Sequence, residues 1–382
     1  MNVLLLSTES NVQYVFIRPI AEHLRKQGHT VVLACSDEPG EFGQSFVEPL
    51  RRLGFEVLVV PIKRAISPWA DLCALAALYR HMRRRRFDVV HVQTAKAGML
   101  GRIAARLAGV PVVIYTVYAF PFHDYLSRRR FRLYVLLERI AARLCDVMVG
   151  DSESVRARGL KFRVTSPDRI RVIHMGVDTD RFDAGKYRGE RAAIRTELGL
   201  QSGAVVVGAV ARMVPDKGLD CFLRAMALIA KRHADVQGLL IGGGPLRGEL
   251  EELRRSLNLD GRVVFAGHCT DVPRVLSAMD VFMLPTRREG FGVAFAEAMS
   301  MGVPVVGSRI APLAEIIEEG RTGCMAGVDA PEEFARAVCE LLDRPERRRS
   351  MGDTGRRHVV EKFSQAEMCK GYERLYLELS AR

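Results

Sequence analysis

The stretch EGFGVAFAE (289–297) combines residue types that could hold a phosphorylated sugar, and it comes just after the apolar run VFMLP (281–285). The run reads as a strand, and residues 286–297 read as a loop opening a helix. Gly290 and Gly292 free the backbone at the helix start to donate N–H bonds to phosphate. Glu289 would stand in the loop and Glu297 one to two turns into the helix, where two carboxylates could accept bonds from a polyol. The alternative is a capping acid followed by a surface glutamate. Glycines, strand position and spacing together favour the ligand reading.

Arg212 and Lys217, in ARMVPDKG, flank a second loop after the run VVVGAVA (205–211). Two cations at a strand end suit a diphosphate, Arg as a bidentate fork and Lys as a point charge. Gly242, Gly243, Gly244 and Pro245 also follow an apolar run and open a helix. They read either as a ligand loop that brings backbone to an anion or as a tight turn with Pro at the first helical position. Asp178, Thr179 and Asp180 have the D-x-D spacing of some metal sites, but no strand end or third ligand stands nearby, so no metal role is expected. His91, His123 and His174 lie at or near strand ends, and only His123 has further polar groups in its loop.

The elements that must position these residues can be read from hydropathy. Apolar runs at 3–7, 30–35, 55–60, 88–93, 111–117, 146–150 and 170–175 alternate with helical patterns. The pattern restarts at 205–211, 236–242, 262–267, 281–285, 303–307 and 322–327. Continuous rather than alternating apolar runs indicate parallel strands covered by helices on both faces. The fold class is therefore α/β, with two doubly wound domains in tandem. The expected division is an N-terminal domain over 1–180, a linker over 181–202, a C-terminal domain over 203–362 and a terminal helix over 363–382. That helix is expected to pack back toward the first domain. Ligands of open sheets bind outside the carboxyl ends of strands, which points to the cleft between the domains.

Composition excludes several classes. At 382 residues, 48% hydrophobic and 27% charged, the chain is neither disordered nor fibrous. The start, MNVLLLSTES, lacks a basic region and reads as a first strand. Eight scattered cysteines without C-x-x-C spacing suit a reducing compartment. There is no P-loop and no glycine in the first strand–helix turn, so neither common nucleotide fingerprint is present. The net charge of +12 lies wholly in the first half: residues 1–175 hold 27 basic and 15 acidic residues, and 176–382 hold 30 of each. Such asymmetry predicts an anionic partner for that half. An anionic membrane surface fits, whereas nucleic acid is not expected without an aromatic-basic stacking module. Arg128, Arg129, Arg130 and Arg132, beside Phe131, Leu133, Leu136 and Leu137, could lie at such a surface or simply begin a sheet-covering helix.

Together these elements resemble the retaining glycosyltransferases of family 4, which have the GT-B fold of two Rossmann-like domains. The likeness rests on RMVPDKG, GGGPLRGEL, VFMLPTRREGFGVAFAEAM, VPVVGSRI and EIIEEGRTG in order, and on HVQTAKAGMLGRIAARLAGVPVV in the first half. It is similar to a bacterial subgroup that extends lipid-linked or polysaccharide glycans. The resemblance implies that Arg212 and Lys217 hold the donor diphosphate, Glu289 bonds the sugar hydroxyls and Glu297 the ribose hydroxyls. Gly243, Gly244, Phe291, Gly292 and Val293 would approach the donor, and the stretch from Gly267 to Val272, with His268, would border the base. Lys96 and Arg128 would stand on the acceptor side. It implies a nucleotide-sugar substrate and neither cofactor nor metal. It also implies a cytoplasmic enzyme, peripheral at the inner face of the membrane. One departure stands out: Tyr118 occupies the place where the subgroup usually has a catalytic-loop histidine, with His123 five residues on. A tyrosine donates hydrogen bonds but is a poor base near neutral pH. Two other readings stay open, a sugar-nucleotide epimerase and a non-catalytic nucleotide-sugar-binding partner.

Overall fold

The computed structural model of the chain describes every residue except 40–43, 66, 123–125, 202 and 382. It forms two units, Met1–His174 with Met368–Arg382, and Met175–Glu367.

The first unit is built on seven parallel strands: β1 (Asn2–Glu9), β2 (Thr30–Ser36), β3 (Glu56–Val59), β4 (Val89–Gln93), β5 (Val112–Val117), β6 (Val147–Gly150) and β7 (Ile170–Val172). Their order is β3-β2-β1-β4-β5-β6-β7. Leu4 of the central β1 stands opposite Val32 on one side and Val90 on the other. Successive residues of β1 serve opposite faces, as a strand requires. Leu4 and Leu6 pack with Leu78 of helix Pro68–Arg85 and Ala104 of helix Ala95–Ala108. Val3 and Leu5 pack with Leu24 of helix Arg18–Lys26 and with the terminal helix Gln365–Ser380.

That last helix buries Met368, Tyr372, Leu375, Tyr376 and Leu379 in the first unit. A polar network fixes its register. His91 Nδ1 lies 2.5 Å from Tyr376 Oη and His91 Nε2 lies 2.7 Å from Thr116 Oγ1, which is 3.0 Å from Tyr372 Oη. Burial pushes the His91 pKa down to about 3, so the ring is neutral and structural.

The second unit holds β8 (Val205–Val210), β9 (Val236–Ile241), β10 (Val263–Gly267), β11 (Val281–Leu284), β12 (Val305–Ser308) and β13 (Gly323–Ala326). The order is β10-β9-β8-β11-β12-β13. The chain steps outward from β8 in one direction and returns through β11 in the other. The topological switch point is therefore between β8 and β11, where open sheets take ligands.

One boundary needs correction. Residues 181–202, expected as a linker, cluster with the second unit and carry helix Arg191–Glu197. Arg195 Nη2 and Arg191 Nη2 reach the two oxygens of Asp280 at 2.7 and 2.8 Å, and the Val206 amide donates to Oδ2 at 2.8 Å. The segment reads as polar because arginine–carboxylate pairs, as well as aliphatic packing, anchor it. Asp178 is part of a turn there: its Oδ1 accepts the Arg181 amide at 2.9 Å.

Candidate functional site

In the second unit, the loop after β8 passes through a short 3-10 turn, Pro215–Lys217, into helix Leu219–Arg232. The loop after β11 enters helix Val293–Ser300. Two residues staple these loops together. Thr286 is buried and its hydroxyl donates to Asp216 O at 3.0 Å. Arg287 donates through its backbone amide to Asp216 O at 2.7 Å and through its guanidinium to both oxygens of Asp220 at 2.9 and 2.8 Å. It also bonds Asp329 at 2.8 Å, the first cause of its raised pKa.

The staple brings Lys217 and Glu289 together. Lys217 Nζ donates to Glu289 Oε1 at 2.7 Å, and both side chains are largely buried. A cation and a carboxylate thus share one spot at the switch point. Arg212 precedes them on the same loop and is exposed. Gly292 caps the helix with φ +104, a left-handed conformation, and an added Cβ would meet Leu313 at 2.6 Å. The first-turn amides of Val293 and Ala294 have no preceding helical carbonyl to bond, so they are available to an anion. Phe291 is buried against the Phe363 ring at 5.4 Å between centroids, which fixes the loop from beneath.

Glu297 lies on the same helix, partly buried. Desolvation pushes its pKa up to about 7, with Arg181 opposing the shift. Arg181 Nη2 also reaches Thr270 O at 3.4 Å, in the segment after β10. His268 is exposed in that segment, and Val272 starts helix Val272–Ser277. The glycine loop after β9 divides its roles. Gly244 has φ +154 and an added Cβ would lie 2.6 Å from Met213 O, so it is a packing glycine. An added Cβ on Gly243 would meet nothing within 4 Å. Its carbonyl accepts the Met213 amide at 2.8 Å, which binds this loop to that of Arg212.

In the first unit, Tyr118 is half-buried just past β5, and its hydroxyl donates to Gln93 Oε1 at the end of β4. Burial pushes its phenol pKa well above the ordinary value, so Tyr118 is a fixed donor and not a base. Lys96 pairs with Asp71 Oδ1 at 2.6 Å and donates to Ala65 O. Its charge is thereby held by a neighbouring helix. Arg128 is exposed at the start of helix Arg128–Ala142. His123 lies outside the described residues. Sequence reasoning missed Thr286, Arg287, Asp216, Asp220 and Arg181. Their partners are up to 89 residues away in sequence, and no local spacing announces them.

Such an arrangement suits a diphosphate beside a polyol: cations and helix amides for the first, carboxylates for the second. Comparison with known proteins identifies the family. Residues 15–181 match the family described as Glycosyltransferase Family 4, and residues 204–344 match Glycosyl transferases group 1. The chain is 29% identical to the Escherichia coli UDP-Gal:alpha-D-GlcNAc-diphosphoundecaprenol alpha-1,3-galactosyltransferase, over 90% of this chain and 87% of that one. It is 27% identical to the capsular polysaccharide biosynthesis glycosyltransferase CapM of Staphylococcus aureus, over 93% and 91%. In fold it is similar to Anabaena HepE, solved with UDP and glucose, at a TM-score of 0.84 and 20% identity over 98% and 99% of the two chains. Because these matches take in both halves in the order the two sheets require, the chain belongs to the family-4 glycosyltransferases of GT-B fold.

Proposed function

We propose that this glycosyltransferase moves a hexose-type sugar from a UDP-sugar to a lipid-linked or polysaccharide acceptor, with retention at the anomeric carbon and without a metal. The observation that carries the reading is the Lys217–Glu289 pair at the switch point of the second sheet. In this mechanism the anomeric carbon–oxygen bond to the diphosphate breaks as the acceptor oxygen bonds the same carbon. The acceptor proton passes to the departing phosphate oxygen, so no protein nucleophile is needed. Lys217, Arg212 and the helix start at Gly292 stabilise charge on the leaving diphosphate. Glu289 orients the sugar hydroxyls while its own charge is balanced by Lys217. Glu297 accepts the ribose hydroxyls. Tyr118 shapes the acceptor side with its hydroxyl held by Gln93. UDP is favoured over GDP because the Escherichia coli relative uses UDP-Gal, and its diphosphoundecaprenol-linked acceptor motivates a lipid-linked acceptor here. No helix among the described residues is long and apolar enough to cross a membrane. We place the protein peripherally at the inner face of the cytoplasmic membrane, held by its basic first half.

The test is transfer itself. Full-length protein, a panel of UDP- and GDP-sugars and lipid-diphosphate-linked acceptors are incubated with chelator present, and nucleoside diphosphate release and product configuration are read. Acceptor-dependent release of UDP with an α-linked product from an α-linked donor is expected. Binding of donor without release under any acceptor would instead indicate the binding-partner reading, and a strict need for a divalent metal would overturn the metal-free mechanism.

A further inference from the structure

The second unit has a cavity of about 310 Å³ whose lining includes neither Lys217 nor Glu289, and its size suits a small ligand. Met279 and Asp280 lead into β11, and Val303 and Pro304 lead toward β12. The cavity therefore opens at the amino ends of these strands, whereas the donor residues stand past the carboxyl ends.

Four arginines line it: Arg188, Arg191, Arg348 and Arg349. The acid that lines it, Asp280, is already committed. Its two oxygens hold Arg191 at 2.8 Å and Arg195 at 2.7 Å, and one of them also takes the Val206 amide. Arg188, Arg348 and Arg349 form no ion pair among the described residues. Arg195, just behind, feels the imbalance: burial lowers its pKa, Asp280 opposes this, and Arg191 and Arg348 lower it further. Residues 176–382 hold 30 basic and 30 acidic residues, so no general excess of charge accounts for this cluster. Like charges grouped around a cavity repel, and a bound anion relieves that repulsion. Arginine forks match phosphate oxygens bidentately. Met279, Met301 and Val303 supply apolar surface, and Tyr187 adds a ring, which together suit the body of a sugar or a base.

We propose that this cavity is a second ligand site, which takes a phosphorylated small molecule of about monosaccharide-phosphate size. Its position gives it a route to the donor residues. Helix Val293–Ser300, which carries Glu297, begins at the donor loop and runs into Met301 and Gly302 of the cavity wall.

The test uses the full chain and two probes, inorganic pyrophosphate and glucose 6-phosphate, titrated by calorimetry. Three proteins are compared: wild type, Lys217→Ala, and the triple variant Arg188→Ser, Arg348→Ser, Arg349→Ser. Wild type and Lys217→Ala are expected to bind both probes, and the triple variant is expected to lose at least about tenfold in affinity for glucose 6-phosphate. Lysine at the same three positions keeps the charge and recovers part of the binding, which separates loss of charge from loss of fold. Equal affinity in wild type and triple variant, no binding to wild type, or loss of all binding in Lys217→Ala each overturns the proposal. Phosphatidylglycerol vesicles form the last arm. If the three arginines govern vesicle binding while soluble phosphates have no effect, the cluster meets a lipid headgroup and the small-molecule site is wrong.

Discussion

At the scale of single residues, two acids on one loop and helix have opposite electrostatic settings. Glu289 faces the ammonium of Lys217, whereas Glu297 is desolvated enough for its pKa to reach about 7. The sign of the consequence for Glu297 is definite. The folded protein holds a proton that the unfolded chain gives up near the ordinary glutamate range, so this group's stabilising contribution is present at low pH and is lost as pH rises through about 7. Ribose hydroxyls donate to the ionised form, so UDP affinity should rise with pH through the same range. Glu297→Gln should flatten both dependences, measured by thermal melts and by calorimetry across pH. Had the variant kept the wild-type difference in UDP affinity between low and high pH, the ribose role would be wrong. For Lys217 and Glu289, Lys217→Ala should lower turnover about 100- to 1,000-fold, the range for loss of one stabilising donor. Because the two side chains touch, the double variant Lys217→Ala, Glu289→Gln should lose less than the two single losses combined. Additive losses in kcat would show that the pair does not act as a unit.

At the scale of elements, the loops after β8 and β11 hold their shape through Thr286 and Arg287, and the first unit depends on a comparable buried device. Arg102, fully buried on helix Ala95–Ala108, bonds Gly98 O at 2.8 Å and Glu138 Oε2 at 3.3 Å, and its guanidinium lies 4.0 Å from the centre of the Tyr115 ring. Desolvation raises the Glu138 pKa, and Arg102 opposes it. This pair joins helix Ala95–Ala108 to helix Arg128–Ala142. Removing one partner strands the other, so Arg102→Ala should cost about 3–5 kcal/mol. Arg102→Met with Glu138→Leu should recover most of that loss, as read by urea unfolding. A double variant no more stable than the single one would mean that the pair fixes the helices in a way apolar packing cannot replace.

At the scale of the whole molecule, helix Arg128–Ala142 combines both readings of the charge pattern in one element. Its inner face buries Val135, Glu138, Ala141 and Ala142. Its outer face leaves Leu133, Leu136 and Ile140 about half exposed, at 51%, 52% and 49%, with Arg128, Arg129, Arg130, Arg132 and Arg139 also exposed. The helix therefore covers the sheet and also offers an apolar stripe in a basic setting, the pattern of an interfacial helix. Full-length protein should sediment with anionic vesicles and release as salt rises, because such attraction is screened within about 8 Å at physiological ionic strength. Leu133→Ser, Leu136→Ser and Ile140→Ser together should weaken sedimentation while shifting stability by only about 0.5 kcal/mol per site, the scale of surface substitutions. Sedimentation unchanged in this variant would rule this helix out as a membrane contact.

The sequence alone determined the two doubly wound sheets, all thirteen strands found among the described residues, and the placing of acids and cations on the loops after β8 and β11. Strand hydropathy and glycine placement are local properties, and a helix-covered parallel sheet needs little else to be read. It did not determine that Lys217 and Glu289 touch, because that contact depends on Thr286 and Arg287 reaching back to Asp216 and Asp220, 67 to 71 residues away. It also misread 181–202 as a linker, since a helix held by arginine–carboxylate pairs has the composition of a solvated loop. Nor could it tell that Lys96 is neutralised by Asp71, that Tyr118 is committed to Gln93, or that arginines at 188, 348 and 349 meet around one cavity. Charges read along a chain carry no record of which of them face one another. Only tertiary packing sets which are paired and which are left for a ligand.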